Sequence, residues 1–162
     1  MLVESFSGIR GIYGKGLDED VARKYTQAYA NLLKNRESKE EQMVIAIGRD
    51  TRESSPLLMA VMKDVLVGNG YSVIDLGVAP TPAVEFAVRE YDADGGIMIT
   101  GSHNEPEYNG FKFLDKDGAV LRPEDADMLI RSWKDAEPAD IGEGVVIDKH
   151  EDLAEKYADF VV

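Results

Sequence analysis

Apolar positions along the chain fall into short continuous runs separated by stripes at helical spacing. Met43-Val44-Ile45-Ala46-Ile47 is an unbroken run rich in branched residues, the pattern of a strand buried on both faces. Tyr71 to Leu76 and Gly96-Ile97-Met98-Ile99 read the same way. Between these runs, Val21, Tyr25, Ala28, Tyr29 and Leu32 recur at helical spacing, as do Leu57, Leu58, Val61, Met62 and Val65. A further helix is predicted from about Ala83 to Tyr91. Asp18 suits the cap of the first helix, Pro56 the first turn of the second, and Gly68-Asn69-Gly70 the close of that second helix. Residues 2–16 predict a short strand followed by a glycine-rich loop, and residues 34–42 a charged, solvated connector. Beyond residue 110, Phe111–Leu114 and Ala119–Leu121 flank Asp115-Lys116-Asp117-Gly118 and predict a hairpin. Pro123 opens a helix carrying Leu129, Ile130 and Trp133. A weak strand at Val145–Ile147 and an amphipathic piece from Glu151 to Val162 complete the chain.

Strands and helices alternating at this spacing make βαβ units, so the fold class is α/β with a mostly parallel, mixed sheet. Ligands of such sheets bind beyond the carboxyl ends of the strands. Arg49-Asp50, Pro80-Thr81-Pro82 and Thr100–Asn104 all fall at those ends.

Composition narrows the picture. With 162 residues, 44% apolar and 30% charged, the chain has material for one full-sized core. The formal net charge of −13 argues against a nucleic-acid partner, which needs a basic footprint. No apolar run is long enough for a membrane span, and no signal-peptide pattern opens the sequence. The absence of cysteine excludes disulfides, thiolate metal sites and cysteine nucleophiles, and it is compatible with a reducing, cytoplasmic location. Given the acidity, an anionic substrate would require Arg10, Arg49, Arg52 and Lys112 to converge on one place.

The candidate chemistry sits at Thr100-Gly101-Ser102-His103-Asn104 and the following arm, Tyr108-Asn109-Gly110-Phe111-Lys112. A buried strand stops at a small, polar loop carrying a hydroxyl and an imidazole, and the second arm can return an ammonium beside them. A serine hydrolase would need glycines where Thr100 and Asn104 stand. A P-loop would need a Gly-Lys-Ser/Thr tail, and a zinc site more than two histidines. Phosphoryl transfer through Ser102 suits the residues better. A phosphoserine carries nearly two negative charges, which Arg10 could grip with a fork, Lys112 could meet as a point charge, and Mg²⁺ could neutralise further. His103 could donate to a phosphoryl oxygen or shuttle a proton, with Thr100 and Asn104 orienting the loop. The Ser7-Gly8-Ile9-Arg10-Gly11 segment offers backbone N–H groups and a guanidinium to an anion; spacing alone favours a simple turn with a surface arginine.

Residues 100–112, Thr-Gly-Ser-His-Asn-Glu-Pro-Glu-Tyr-Asn-Gly-Phe-Lys, resemble the phosphoserine loop of the α-D-phosphohexomutases. Ser7–Gly11, the Gly48-Arg49-Asp50-Thr51-Arg52 segment with its Ser54-Ser55-Pro56, and Pro80-Thr81-Pro82 resemble three further motifs of that family, in order and at family spacing. Asn109-Gly110-Phe111-Lys112 is closer to the phosphomannomutase/phosphoglucomutase branch than to the phosphoglucosamine mutases. The resemblance implies a three-layer α/β/α sandwich. It implies Ser102, His103, Lys112 and Arg10 as catalytic residues, Ser7, Thr100, Asn104 and Arg49 around substrate or phosphate, and Mg²⁺ held by Ser102 through its phosphate. The reaction it implies interconverts hexose 1-phosphate and hexose 6-phosphate through a hexose 1,6-bisphosphate. Gly101 and Glu105 depart from the usual alanine and proline and are expected to loosen the loop; Phe6 stands where threonine is usual. The resemblance covers the first of four domains: residues 1–150 as the phosphoserine domain, and 151–162 as the start of the connection to a second. The remaining domains are then the expected partners, or else the chain is a free-standing sugar-phosphate-binding or phosphocarrier module. The apolar face of the tail is expected to be exposed or paired with another copy.

Overall fold

The computed structural model describes residues 1–36, 41–140 and 142–162. Among the described residues, seven strands form one sheet: β1 (Val3–Ser5), β2 (Gly8–Ile12), β3 (Val44–Arg49), β4 (Ser72–Val78), β5 (Gly95–Ile99), β6 (Tyr108–Leu114) and β7 (Val146–Asp148). Five α-helices accompany them: α1 (Glu19–Arg36), α2 (Ser55–Gly68), α3 (Thr81–Glu90), α4 (Pro123–Ser132) and α5 (His150–Val161). A short 3₁₀ turn, Trp133–Asp135, extends α4. The strand order is β1-β2-β6-β5-β3-β4-β7. From β5 through β3 and β4 to β7 the pairings are parallel; from β5 through β6 and β2 to β1 they are antiparallel. The expected mixed α/β sheet is therefore present, divided into two halves that meet at β5.

Local signals place the elements. The Asp18 carboxylate accepts the Val21 N–H at 2.9 Å and caps α1, and Pro56 lies in the first turn of α2. Helices α1, α2 and α4 bury Tyr25, Leu33, Leu58, Met62 and Leu129 against Ile45, Ile47, Ile97, Ile99, Phe111 and Phe113 on one sheet face. Helices α3 and α5 bury Val84, Ala87, Val88 and Leu153 against Ala46, Ile74, Leu76 and Met98 on the other. The Tyr29 hydroxyl ties α1 to the middle of the sheet, donating to the Leu114 carbonyl at 2.6 Å and accepting the Gly96 N–H at 3.0 Å.

Three expectations change. The supposed glycine-rich loop after the first strand is mostly strand β2, which turns tightly from β1 through Phe6-Ser7. Its glycines are placed for close approach of neighbouring side chains rather than for turning. The hairpin after Phe111 reduces to one antiparallel bridge, Leu114 to Val120, because Asp115 to Gly118 form a turn whose return arm pairs only there. Helix α1 runs on to Arg36, inside the expected connector; residues 37–40 of that connector lie outside the described residues. The tail is helical: α5 docks through buried Leu153, a 2.7 Å hydrogen bond from the Tyr91 hydroxyl to Asp152, and the Phe86–Tyr157 and Phe86–Phe160 ring contacts. Phe160 and Val161 at its end stay exposed.

Candidate active site

Strands β3 and β5 run side by side and end together, so their following turns are neighbours: Asp50 donates its N–H to the Ile99 carbonyl at 2.9 Å. Thr100 is buried, and its hydroxyl accepts the Ser102 N–H at 2.9 Å. Asn104 closes the turn onto the Gly101 carbonyl at 3.1 Å. At its tip Ser102 is exposed and left-handed, with φ of 57°. That region is unfavourable for a residue with a Cβ and persists only where the surroundings enforce it. The Ser102 hydroxyl lies 3.3 Å from His103 Nδ1.

The two predicted cations arrive on the antiparallel strands. Alternation along β2 and β6 places Arg10 and Lys112 on the sheet face away from α1. On that side, helix packing is concentrated on β3, β4 and β5. Glycines let the two stems lie close to the sheet. A Cβ at Gly110 would stand 3.0 Å from Arg10 Cγ and 3.1 Å from the Thr100 carbonyl oxygen; one at Gly8 would stand 3.4 Å from Lys112 Cγ. Arg10 thus lies within reach of the serine loop, and Lys112 lies over the turn that holds Ser7. Ser7 itself exchanges a 2.9 Å hydroxyl contact with Ser5.

Arg49 goes elsewhere. Its guanidinium donates to the Asp50 carbonyl at 3.1 Å and lines a separate depression of about 340 Å³ with Lys63, Asp75 and His150. This depression lies between the start of α2 and the ends of β4 and β7, with His150 of α5 at its wall. The four basic residues therefore do not converge on one point.

Three residues of this region, Asp50, Arg52 and Asn109, have structural partners that sequence reading did not assign them. Asp50 accepts from the Ser55 hydroxyl at 2.6 Å and the Arg52 N–H at 3.0 Å with one oxygen. With the other it accepts from the Gly101 N–H at 3.3 Å. Burial alone would push its carboxyl up; the hydrogen bonds from Ser55, the Arg52 N–H, Thr100 and the Gly101 N–H outweigh it and hold the group below the usual carboxylate range. Arg52 reaches across to the serine loop and bonds its carbonyls. Asn109, fully buried, donates to both Ser54 and Ser55 at 2.8 and 2.9 Å and so joins β6 to the start of α2. The acid-basic spacing Asp50-x-Arg52 was the available signal, but its partners are backbone carbonyls, which no sequence pattern marks.

Between the 50–54 turn and the serine loop opens a cavity of about 890 Å³, lined among others by Tyr13, Glu53, Thr100, Ser102 and Glu107. The buried Oδ1 of Asn104 has no partner. Among the described residues, no three or more His, Asp or Glu side chains gather as a metal site. Mg²⁺ is commonly held by one or two carboxylates together with phosphate oxygens and waters, and a phosphorylated Ser102 would supply such oxygens here.

Residues 4–140 match the family described as "Phosphoglucomutase/phosphomannomutase, alpha/beta/alpha domain I", and the chain belongs to it. It is 44% identical to a phosphoglucomutase/phosphomannomutase of Thermococcus kodakarensis over 117 residues, which is 72% of this chain and 25% of that protein. A phosphoglucosamine mutase of Limosilactobacillus reuteri is 36% identical over 95% of this chain and 35% of its own length. Among solved structures, a phosphoglucomutase/phosphomannomutase family protein from Burkholderia thailandensis superposes with a TM-score of 0.78 at 31% identity, over 97% of this chain and 35% of that one. The chain thus spans about a quarter to a third of the relatives it matches.

Proposed function

We propose that this chain is the phosphoryl-carrying domain of a phosphohexomutase, with Ser102 as the residue that accepts and returns the phosphoryl group. The carrying observation is the exposed, left-handed Ser102 hydroxyl, 3.3 Å from His103 Nδ1 and next to the open sheet face that bears Arg10 and Lys112. In the loading step, Ser102 Oγ attacks a phosphorus of hexose 1,6-bisphosphate. The Oγ–P bond forms as the sugar O–P bond breaks; the serine proton passes to His103 and then to the released sugar oxygen. The reverse steps return a phosphoryl group to the other hydroxyl of a hexose monophosphate. Arg10 and Lys112 stabilise the charge on the moving group, and Ser7, Thr100 and Asn104 orient loop and ligand. Mg²⁺, when bound to the phosphate, would neutralise charge, with its remaining ligands outside these residues. Family names among the relatives include both glucose/mannose and glucosamine mutases, and the Asn109–Lys112 arm favours the former pair.

The test is to incubate the chain with a hexose 1,6-bisphosphate and Mg²⁺ and map any added phosphoryl group by mass spectrometry. One phosphoryl group on Ser102, lost in Ser102→Ala, is expected. Label that persists in Ser102→Ala, or no label at all, would sink the assignment. The absence of gathered metal carboxylates among the described residues supports a second expectation, that full mutase turnover needs further domains or a partner chain.

A further inference from the structure

The serine loop is gripped by one guanidinium. Arginine has five N–H donors in a rigid plane, and all five are used here. Arg52 Nε donates to Asp50 Oδ2 at 3.1 Å. Nη1 donates to the Glu105 and Tyr108 carbonyls at 2.5 and 2.9 Å. Nη2 donates to the Ser102 and Asn104 carbonyls at 3.1 and 2.8 Å. Four of the five acceptors are thus backbone oxygens of residues 102–108, the span that carries the nucleophile. Asp50 balances the charge of Arg52, so what the arginine adds is geometry more than field.

Position 101 is shaped to this arrangement. A Cβ there would stand 2.5 Å from Arg52 Nε and closer still to Cζ, so the guanidinium lies flat against the backbone of Gly101. The glycine expected to loosen the loop instead makes room for the side chain that fixes it.

We propose that Arg52, seated against Gly101, is a positioning residue for Ser102, holding residues 102–108 so that the serine keeps its left-handed backbone and presents its hydroxyl to the phosphoryl donor. This rests on Ser102 being the phosphoryl acceptor. A lysine keeps the charge but offers donors around one point, and it cannot span four carbonyls.

The experiment uses the 162-residue chain and its Arg52→Lys, Gly101→Ala and Arg52→Lys/Gly101→Ala variants. Two quantities are read: amide hydrogen exchange along the chain, and the single-turnover rate of Ser102 phosphorylation by hexose 1,6-bisphosphate. In Arg52→Lys, exchange should rise about tenfold or more in 101–108 and stay unchanged in the sheet. The saturating transfer rate should fall on the order of 100-fold, as for a misplaced reacting group. The half-saturating bisphosphate concentration should move little, because the ligand's own contacts remain. Gly101→Ala, which brings in the alanine usual in the resembling family, should cost no more than about threefold in transfer, because only the tip of a flexible side chain has to shift, and the double variant should match Arg52→Lys. Exchange and transfer within twofold of the parent in Arg52→Lys would overturn the proposal, as would exchange rising uniformly over the whole chain. If the parent takes no phosphoryl group, the Ser102 reading fails, and loop exchange alone then decides whether Arg52 holds the loop.

Discussion

The two halves of the sheet are built differently. Strands β3, β4 and β5 are aliphatic and carry helices on both faces, with Ile45, Ile47, Val73 and Ile97 fully buried on one side and Ala46 and Leu76 on the other. The antiparallel strands β2 and β6 bury mainly one face, where Phe111 and Phe113 join Ile9 in an aromatic layer; on the other, Leu114 at the end of β6 joins the second core. Tyr25 stacks on Trp133 at 4.7 Å between ring centroids, and Tyr29, Phe111 and Phe113 continue the layer. Their other face is floored by Gly8 and Gly110 and carries Arg10 and Lys112. A sheet half that gives up one covering layer for polar groups must find stability on the remaining side. Large rings supply more buried area per residue than aliphatic chains do.

The largest expected effect lies in that aromatic layer. Phe111→Ala should cost about 3–5 kcal/mol, read from urea unfolding. A loss under about 1 kcal/mol would mean that the rings do not compensate for the missing helix layer. An intermediate effect comes from alkali. Burial pushes the Tyr71 phenol up to about 12, and burial likewise raises Tyr25 and Tyr29 still further. Unfolded phenols ionise near ~10, so above that pH the unfolded chain binds fewer protons than the folded one, and stability falls as pH rises. Each such tyrosine contributes about 1.4 kcal/mol per pH unit to the decline. Tyr71→Phe should reduce the loss of stability between pH ~10 and ~11 by about 1 kcal/mol, since the unfolded phenol is only partly ionised over that range. An unchanged slope would show that Tyr71 ionises as freely folded as unfolded. The smallest effect belongs to the open face. Arg10→Ala and Lys112→Ala should each change unfolding stability by no more than about 0.5 kcal/mol. A cost well beyond that for either would make the face structural and weaken its contrast with the parallel half.

How much of this was written in the chain differs between the halves in the same way. The run Met43–Ile47, the Asp18 cap and Pro56 located β3, α1 and α2 closely, because patterning, capping and propensity agree there. Strand β2 was misread because Gly8, Arg10 and Gly11 break the strand pattern; their reason is the close approach of Lys112 and of Leu2, which is tertiary. The serine loop and its flanking cations could be named from their order along the chain. That Arg49 faces another depression, while Arg52 serves the loop from beneath, depends on side-chain direction at a turn. Sequence spacing does not encode that direction.

The backbone at Ser102 also bears on which nucleophile this loop can carry. Threonine offers the same hydroxyl, yet its branched Cβ makes it a genuine outlier at φ of 57°. Asparagine and glycine settle into that conformation readily but bring no hydroxyl. Among residues able to form a phosphate ester through an aliphatic oxygen, the turn leaves serine alone.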